Sequence, residues 1–216
     1  STSEADEDND DDYYNATALH FACMGGNLRI VEILVNLGSD VNAMWMDEFD
    51  IHDAVSPFHI ACHKGFTEIV DFLAGRVDDI DHQSRYDKLP PLYFAFKAGH
   101  LKVIQSLLKH GADPRIPSWH GRSTLELVCE EDNLIIFNEF VAAGANESFL
   151  NDSLCHSAFY GSLNILNRLA ELKVDVHTPS TLHNFIRPVS LVATGPDFVC
   201  EGPVLILGMT ALHIAA

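Results

Sequence analysis

Basic residues are scarce in this chain. Thirteen Lys and Arg stand against 31 Asp and Glu among 216 residues, a formal net charge of −18 with histidine neutral. Binding to nucleic acid relies on clustered cations that neutralise phosphates, so no nucleic-acid partner is expected. A protein with a basic surface is the partner such a field would steer. No apolar run reaches the roughly 18 residues of a membrane-spanning helix, so no membrane contact is expected. The five cysteines are odd in number and scattered, unlike the framework of a small secreted protein. They suit a reducing compartment, and the expected location is the cytoplasm, with the nucleus as the alternative. No start methionine, charged-then-apolar leader or small-residue cleavage site opens the chain, and without one the sequons at Asn15, Asn146 and Asn151 carry little weight.

Also missing are the patterns GxxxxGK[ST], GxGxxG, GxSxG and HExxH, each of which places a phosphate cradle, a nucleophile or a metal-bound base at a fixed spacing. The expectation is a non-enzymatic chain with no cofactor.

The acidity is unevenly spread. Glu4, Asp6, Glu7, Asp8, Asp10, Asp11 and Asp12 fall within the first twelve residues, a self-repelling block with almost nothing to bury, so residues 1–14 are expected to form an acidic disordered tail. The remainder still carries −11.

What the chain has in abundance is self-similarity. Thr17-Ala18-Leu19-His20-Phe21-Ala22 returns as Ser56-Pro57-Phe58-His59-Ile60-Ala61, as Pro90-Pro91-Leu92-Tyr93-Phe94-Ala95 and as Thr210-Ala211-Leu212-His213-Ile214-Ala215. Nine residues after the first position of the first three copies come Gly26, Gly65 and Gly99, and two degenerate units between the third copy and the last, with Glu126 and Cys155 at the histidine position, carry Asp132 and Gly161 in the same place. Glycine closes a helix readily because positive φ costs it nothing. Second helices then follow near Leu28–Val35, Glu68–Ala74, Leu101–Leu108, Leu134–Val141 and Leu163–Ala170, where apolar residues recur at three- and four-residue steps. Gly38, Gly111 and Gly144 stop three of them.

These motifs, with the exits Gly-Ser-Asp-Val-Asn at 38–42 and Gly-Ala-Asp-Pro at 111–114, resemble the ankyrin repeat. The resemblance implies an all-α solenoid of stacked helix-turn-helix repeats joined by hairpins. Five repeats cover residues 15–177, and residues 210–216 begin a truncated further repeat, so a longer natural protein is expected. Residues 178–209 contain Pro179, Pro188, Pro196 and Pro203 and form either a packed insertion or a degenerate repeat. Start-to-start spacings are 39, 34, 33, 29 and 58 residues. Length changes in repeat proteins fall in the connections, so a shortened hairpin is expected near residues 146–152.

His20-x2-Cys23 and His59-x2-Cys62-His63 suggest zinc at first sight, but tetrahedral zinc needs convergent ligands and stacked repeats offer parallel copies. The resemblance assigns His20, His59 and His213 structural hydrogen bonds. Cys23, Cys62 and Cys129 share one repeat position, where a thiol acts as a small hydrophobe. The adjacent pairs Cys62-His63 and Cys155-His156 point about 100° apart on a helix, so neither forms a nucleophile and base. No metal is expected.

In ankyrin-like proteins, partners contact hairpin tips and the exposed end of the first helix. On this sequence the helix positions are Met24, His63, Lys64, Lys97, Glu130, Glu131, Phe159 and Tyr160. The hairpin positions are Arg85, Tyr86, Lys88, Trp119, His120 and Arg122. Aromatic and arginine side chains dominate such surfaces because they bury much area and keep a polar handle. Trp45 and Phe49, in the first and longest hairpin, either fold back onto the neighbouring repeat or join the partner surface. The function implied is a non-catalytic scaffold or adaptor that grips a protein through its tips and concave first-helix face. The alternative is the targeting arm of a larger enzyme, such as a kinase or ubiquitin ligase, or of a channel.

Overall fold

The computed structural model describes residues 16–46 and 53–177. The expected acidic tail, Phe49, the segment 178–209 and the start of a repeat at 210–216 lie outside the described residues. Among the described residues ten helices form five successive pairs, as the ankyrin resemblance implies. They fall into two compact units divided between Thr124 and Leu125.

In the first unit the pairs are α1 (Ala18–Gly25) with α2 (Leu28–Asn36), α3 (Pro57–Lys64) with α4 (Thr67–Ala74), and α5 (Pro91–Lys97) with α6 (Leu101–Lys109). First helices stack on first helices, α1 on α3 and α3 on α5, and second helices likewise, α2 on α4 and α4 on α6. Each repeat is too short to enclose a core of its own, so stability comes from sealing one pair against the next. Leu19, Phe58 and Leu92 are completely or almost completely buried in the first-helix layer, and Val31, Val70 and Ile104 in the second. The Cys23 and Cys62 position is buried as expected, but the third repeat fills it with Phe96, also buried. The site therefore accepts a large ring as well as a small side chain.

Histidine closes the start of the first helices. The Thr17 N–H donates to His20 Nδ1 at 3.1 Å, which makes Nδ1 an acceptor and leaves the hydrogen on Nε2. Nε2 then reaches the carbonyls of Ala43 at 3.1 Å and Val55 at 3.3 Å, tying α1 to both sides of the first hairpin. That hairpin carries the one pair of strands among the described residues, β1 (Trp45–Met46) and β2 (Ala54–Val55), paired antiparallel. His59 repeats the Nδ1 half of this arrangement, with Ser56 N–H donating to Nδ1 at 3.2 Å.

The second unit holds α7 (Thr124–Glu130), which begins at the boundary, with α8 (Leu134–Ala142), and α9 (Glu147–Tyr160) with α10 (Leu163–Glu171). Asp132 adopts φ +48, so the residue standing in for glycine takes the same left-handed backbone as Gly161 at φ +75. Its carboxylate offsets the steric cost by accepting the backbone N–H groups of Asn164 and Ile165, both at 3.1 Å.

One expectation fails here. Residues 147–152 are not a shortened hairpin but the first turns of α9, which is 14 residues long. The Asn146 side chain caps it by accepting from Phe149 N at 2.8 Å. Phe149 is buried, stacked on Phe137 and edge-on to Phe140, each at 6.2 Å. Cap and anchor together extend the helix through Asp152, the position that begins the repeat.

Candidate interaction surface

The surface grows from a buried carboxylate. Asp53 is fully buried one residue before β2, and its Oδ1 accepts from Ala54 N at 2.7 Å and Tyr86 N at 3.0 Å. Oδ2 accepts from Asp87 N at 3.2 Å and from the Ser84 hydroxyl. Three of these four donors, Ser84, Tyr86 and Asp87, belong to the second hairpin and hold its tip from beneath, and Arg85 N adds a bond to the Ala54 carbonyl at 3.0 Å. Sequence reading did not select Asp53. The signal available was register, because Asp53 and Asp87 both stand three residues ahead of their repeats.

The next tip is locked to this one. Trp119 N donates to the Asp87 carbonyl at 2.7 Å, and Ser118 N and Gly121 N close the turn on Arg122 O and Ser118 O. Gln83 Nε2 spans the two hairpins, donating to Lys88 O at 2.9 Å and Pro117 O at 2.8 Å. On this frame Trp119 is 72% exposed and Tyr86 42% exposed. They are 33 residues apart in the sequence and occupy the same repeat position. Lys88 and His120 are exposed beside them, and Arg85 and Arg122 are half-buried.

The helix-end residues of the first unit line up at the ends of α1, α3 and α5. Met24, His63 and Lys64 are half-buried and Lys97 is exposed, with its ammonium 5.6 Å from the Phe96 ring centre. In the second unit Glu130, Glu131 and Phe159 are exposed, and Tyr160 is half-buried with its hydroxyl donating to Glu126 at 2.6 Å. Trp45 has folded back. It is 8% exposed and packs against His20 at 5.7 Å and Phe21 at 5.9 Å, which removes it from the accessible surface.

Charge divides sharply along the chain. The described residues up to Thr124 carry ten Lys and Arg against ten Asp and Glu, whereas residues 125–177 carry two against nine. The acidic excess therefore lies mainly in the second unit and in residues 1–15, with three more carboxylates at Asp47, Glu48 and Asp50, and not at the tips bearing Tyr86 and Trp119.

The histidine and cysteine set is turned inward. Both His20 nitrogens are occupied by hydrogen bonds. Burial pushes the Cys23 and Cys129 thiols up to about 12 and Cys62 well above its ordinary value, which disfavours the thiolate that metals and electrophiles require. Burial likewise lowers His20, and brings His59 down to about 4. Among the described residues no three His, Cys, Asp or Glu side chains are grouped to hold a metal ion. No helix of the described residues is long and apolar enough to cross a membrane.

Helix pairs that seal one another and raise hydrogen-bonded tips define a helical-repeat interaction protein. A family model for ankyrin repeats in three copies matches residues 44–118, and one for a single ankyrin repeat matches residues 14–45. The chain belongs to the ankyrin repeat family, whose repeats are interaction modules that bind other proteins. It is 29% identical over 118 residues to the palmitoyltransferase AKR1 of Lachancea kluyveri, covering 54% of this chain and 16% of that protein. Over 146 residues it is 27% identical to the mouse B-cell lymphoma 3 protein homolog, covering 68% of this chain and 32% of the relative. It is 32% identical over 109 residues to human transient receptor potential cation channel subfamily A member 1, covering 50% and 9%. The chain thus spans a third or less of the length of these relatives.

Proposed function

We propose that this chain is a non-catalytic scaffold or adaptor that holds a partner protein on the tips bearing Tyr86 and Trp119, with the ends of α3 and α5 as flanking contacts. The observation that carries the reading is Trp119: a large, amphipathic side chain left mostly in water at the end of a turn bonded to its neighbour. Soluble proteins keep such exposed aromatics where they are used, and a preorganised tip loses little entropy on binding. Cytoplasm is the proposed location, with the nucleus second. The acidic residues of the second unit would draw a partner with a basic surface and repel nucleic acid.

The test compares the wild-type chain with a Tyr86→Ala and Trp119→Ala double variant in pull-down, then measures affinity for each partner retained by the wild type alone. Trp119→Ala by itself is expected to weaken binding by more than about 1 kcal/mol while the melting curve stays unchanged. Equal affinity with an equal melting curve removes Trp119 from the site.

A second reading, in which the array is the targeting arm of a larger enzyme or channel, is supported by the relatives, among them a palmitoyltransferase and a cation channel of which the chain spans a small share. The coding sequence on either side of these residues decides between the two.

A further inference from the structure

Tyr86 and Trp119 are spaced by the stack of repeats rather than by their separation in the sequence. Each stands two residues ahead of a left-handed residue at its hairpin tip, Lys88 with φ +54 and Gly121 with φ +73. The two turns therefore carry the aromatic at the same point. Each repeat contributes one hairpin, and these two are fixed side by side by the Trp119 N–H on the Asp87 carbonyl and by Gln83 across the gap. The step from one tip to the next thus follows the pitch at which α3 packs on α5, about 8–10 Å for helices in contact.

That pitch selects among peptide conformations. An extended strand returns side chains to one face every two residues, about 6.7 Å, so the second residue falls short of the next tip and the fourth overshoots it. Polyproline II has three residues per turn and rises about 3.1 Å per residue, so residues i and i+3 share a face about 9 Å apart. An α-helix also comes close, because seven residues advance about 10.5 Å.

Hydrogen bonding separates the last two. The Trp119 backbone N–H is committed to Asp87, whereas its indole N–H, the Lys88 ammonium and the His120 ring take part in no hydrogen bond among the described residues, and all three side chains are exposed. Acceptors are few: Asp53 is buried and occupied by its four donors, which leaves the half-buried Asp87 carboxylate. A surface rich in donors fits a ligand rich in acceptors. A helix uses most of its carbonyls internally, but polyproline II leaves every carbonyl unbonded, and proline brings no N–H that would need an acceptor. Flat aromatic faces beside such donors suit proline rings, and a segment already stiff in this conformation loses little entropy on docking.

We propose that the tips bearing Tyr86 and Trp119 hold a proline-rich segment of the partner protein in the polyproline II conformation, with residues three apart seated on the two aromatics and one of its carbonyls accepting from the Trp119 indole N–H. This rests on the reading of the tips as the partner surface and adds the chemistry of what they hold.

Titration of the full, nitrogen-15-labelled chain with a capped peptide of about ten prolines tests it, followed through the two indole N–H resonances, which Trp45→Phe and Trp119→Phe variants assign. The Trp119 resonance is expected to shift and the Trp45 resonance to stay. Affinity is expected to fall at least about tenfold in Trp119→Ala and in Tyr86→Ala. Trp119→Phe keeps an aromatic face without the donor and should fall between wild type and Trp119→Ala. A capped triproline is too short to reach both tips and should bind at least about tenfold more weakly than the longer peptide. The proposal is overturned if the long peptide leaves the Trp119 resonance in place, if either alanine variant binds it like the wild type, if triproline binds equally well, or if a helical peptide with Leu at i and i+7 binds the tips more tightly. Should the proline peptide fail while pull-down still retains partners that depend on Trp119, the proline chemistry is wrong and the tips remain the partner surface.

Discussion

The imidazole of His100 lies where a side chain at Gly65 would have to go. A Cβ placed on Gly65 would come within 2.7 Å of Cε1 and Nδ1 of the ring, and the ring is fixed there because Nε2 donates to the His63 carbonyl at 3.0 Å. Gly65 also holds φ +82, so it ends α3 and admits the next repeat at one position. Gly99 closes α5 with φ +75 but faces open space.

The two glycines should therefore respond differently to the same change. Gly99→Ala is expected to cost about 1 kcal/mol, the strain of a left-handed alanine. Gly65→Ala adds displacement of a hydrogen-bonded ring and is expected to cost more than about 2 kcal/mol. Urea unfolding monitored by circular dichroism measures both, and equal losses would show that His100 moves aside freely.

Asp132 offers the complementary case, a strained residue kept for its side chain. Replacement by Ala retains the unfavourable backbone at φ +48 and removes the acceptor for Asn164 and Ile165, with an expected loss of about 2 kcal/mol. Replacement by Gly also loses the acceptor but relieves the strain, so it should be about 1 kcal/mol less damaging than Ala. A Gly variant less stable than the Ala variant would contradict this division.

Much of this architecture could be read in the residues. The second helices lie within one residue of the apolar stripes that announce them, as with α6 at Leu101–Lys109, because periodicity and the closing glycines are local signals. The common repeat position of Tyr86 and Trp119 was equally legible. What escaped were outcomes of long-range contact. The Asn146 cap is a local signal but does not by itself distinguish a hairpin at residues 147–152 from the start of α9; the burial of Phe149 against Phe137 does. The role of Asp53 depends on donors more than 30 residues away, at Ser84, Tyr86 and Asp87.

Stability should fall on mild acidification, with an opposing contribution from one carboxyl. His59 has its pKa lowered from 6.5 to about 4 by burial, so the unfolded chain takes up its proton first. The stability this residue contributes is complete above pH 6.5 and is lost as pH falls toward 4, by as much as a few kcal/mol. Asp81 acts the other way: burial raises it from 3.8 to about 6, so its proton favours the folded chain and stability rises as pH falls through that window. Asp81→Asn removes the opposing effect. Urea midpoints at pH 7, 6 and 5 are expected to drop more steeply in that variant than in the wild type, and a shallower drop would reverse the assignment.

The two tryptophans, alike in sequence as hairpin residues, should separate cleanly in unfolding experiments. Trp45 is buried against the His20 ring, whose Nε2 hydrogen ties α1 to the Ala43 and Val55 carbonyls, so Trp45→Ala opens a cavity beside those bonds. The expected loss is about 3 kcal/mol, with α1 the first helix to lose protection in hydrogen exchange. Trp119 covers nothing comparable at 72% exposure, and Trp119→Ala should shift stability by less than about 0.5 kcal/mol. Fluorescence reports the same distinction: a Trp119→Phe variant leaves only Trp45 and should emit to the blue of a Trp45→Phe variant. If Trp119→Ala destabilises the chain as much as Trp45→Ala, then Trp119 is packing rather than presenting itself, and the tip loses its claim to be the binding surface.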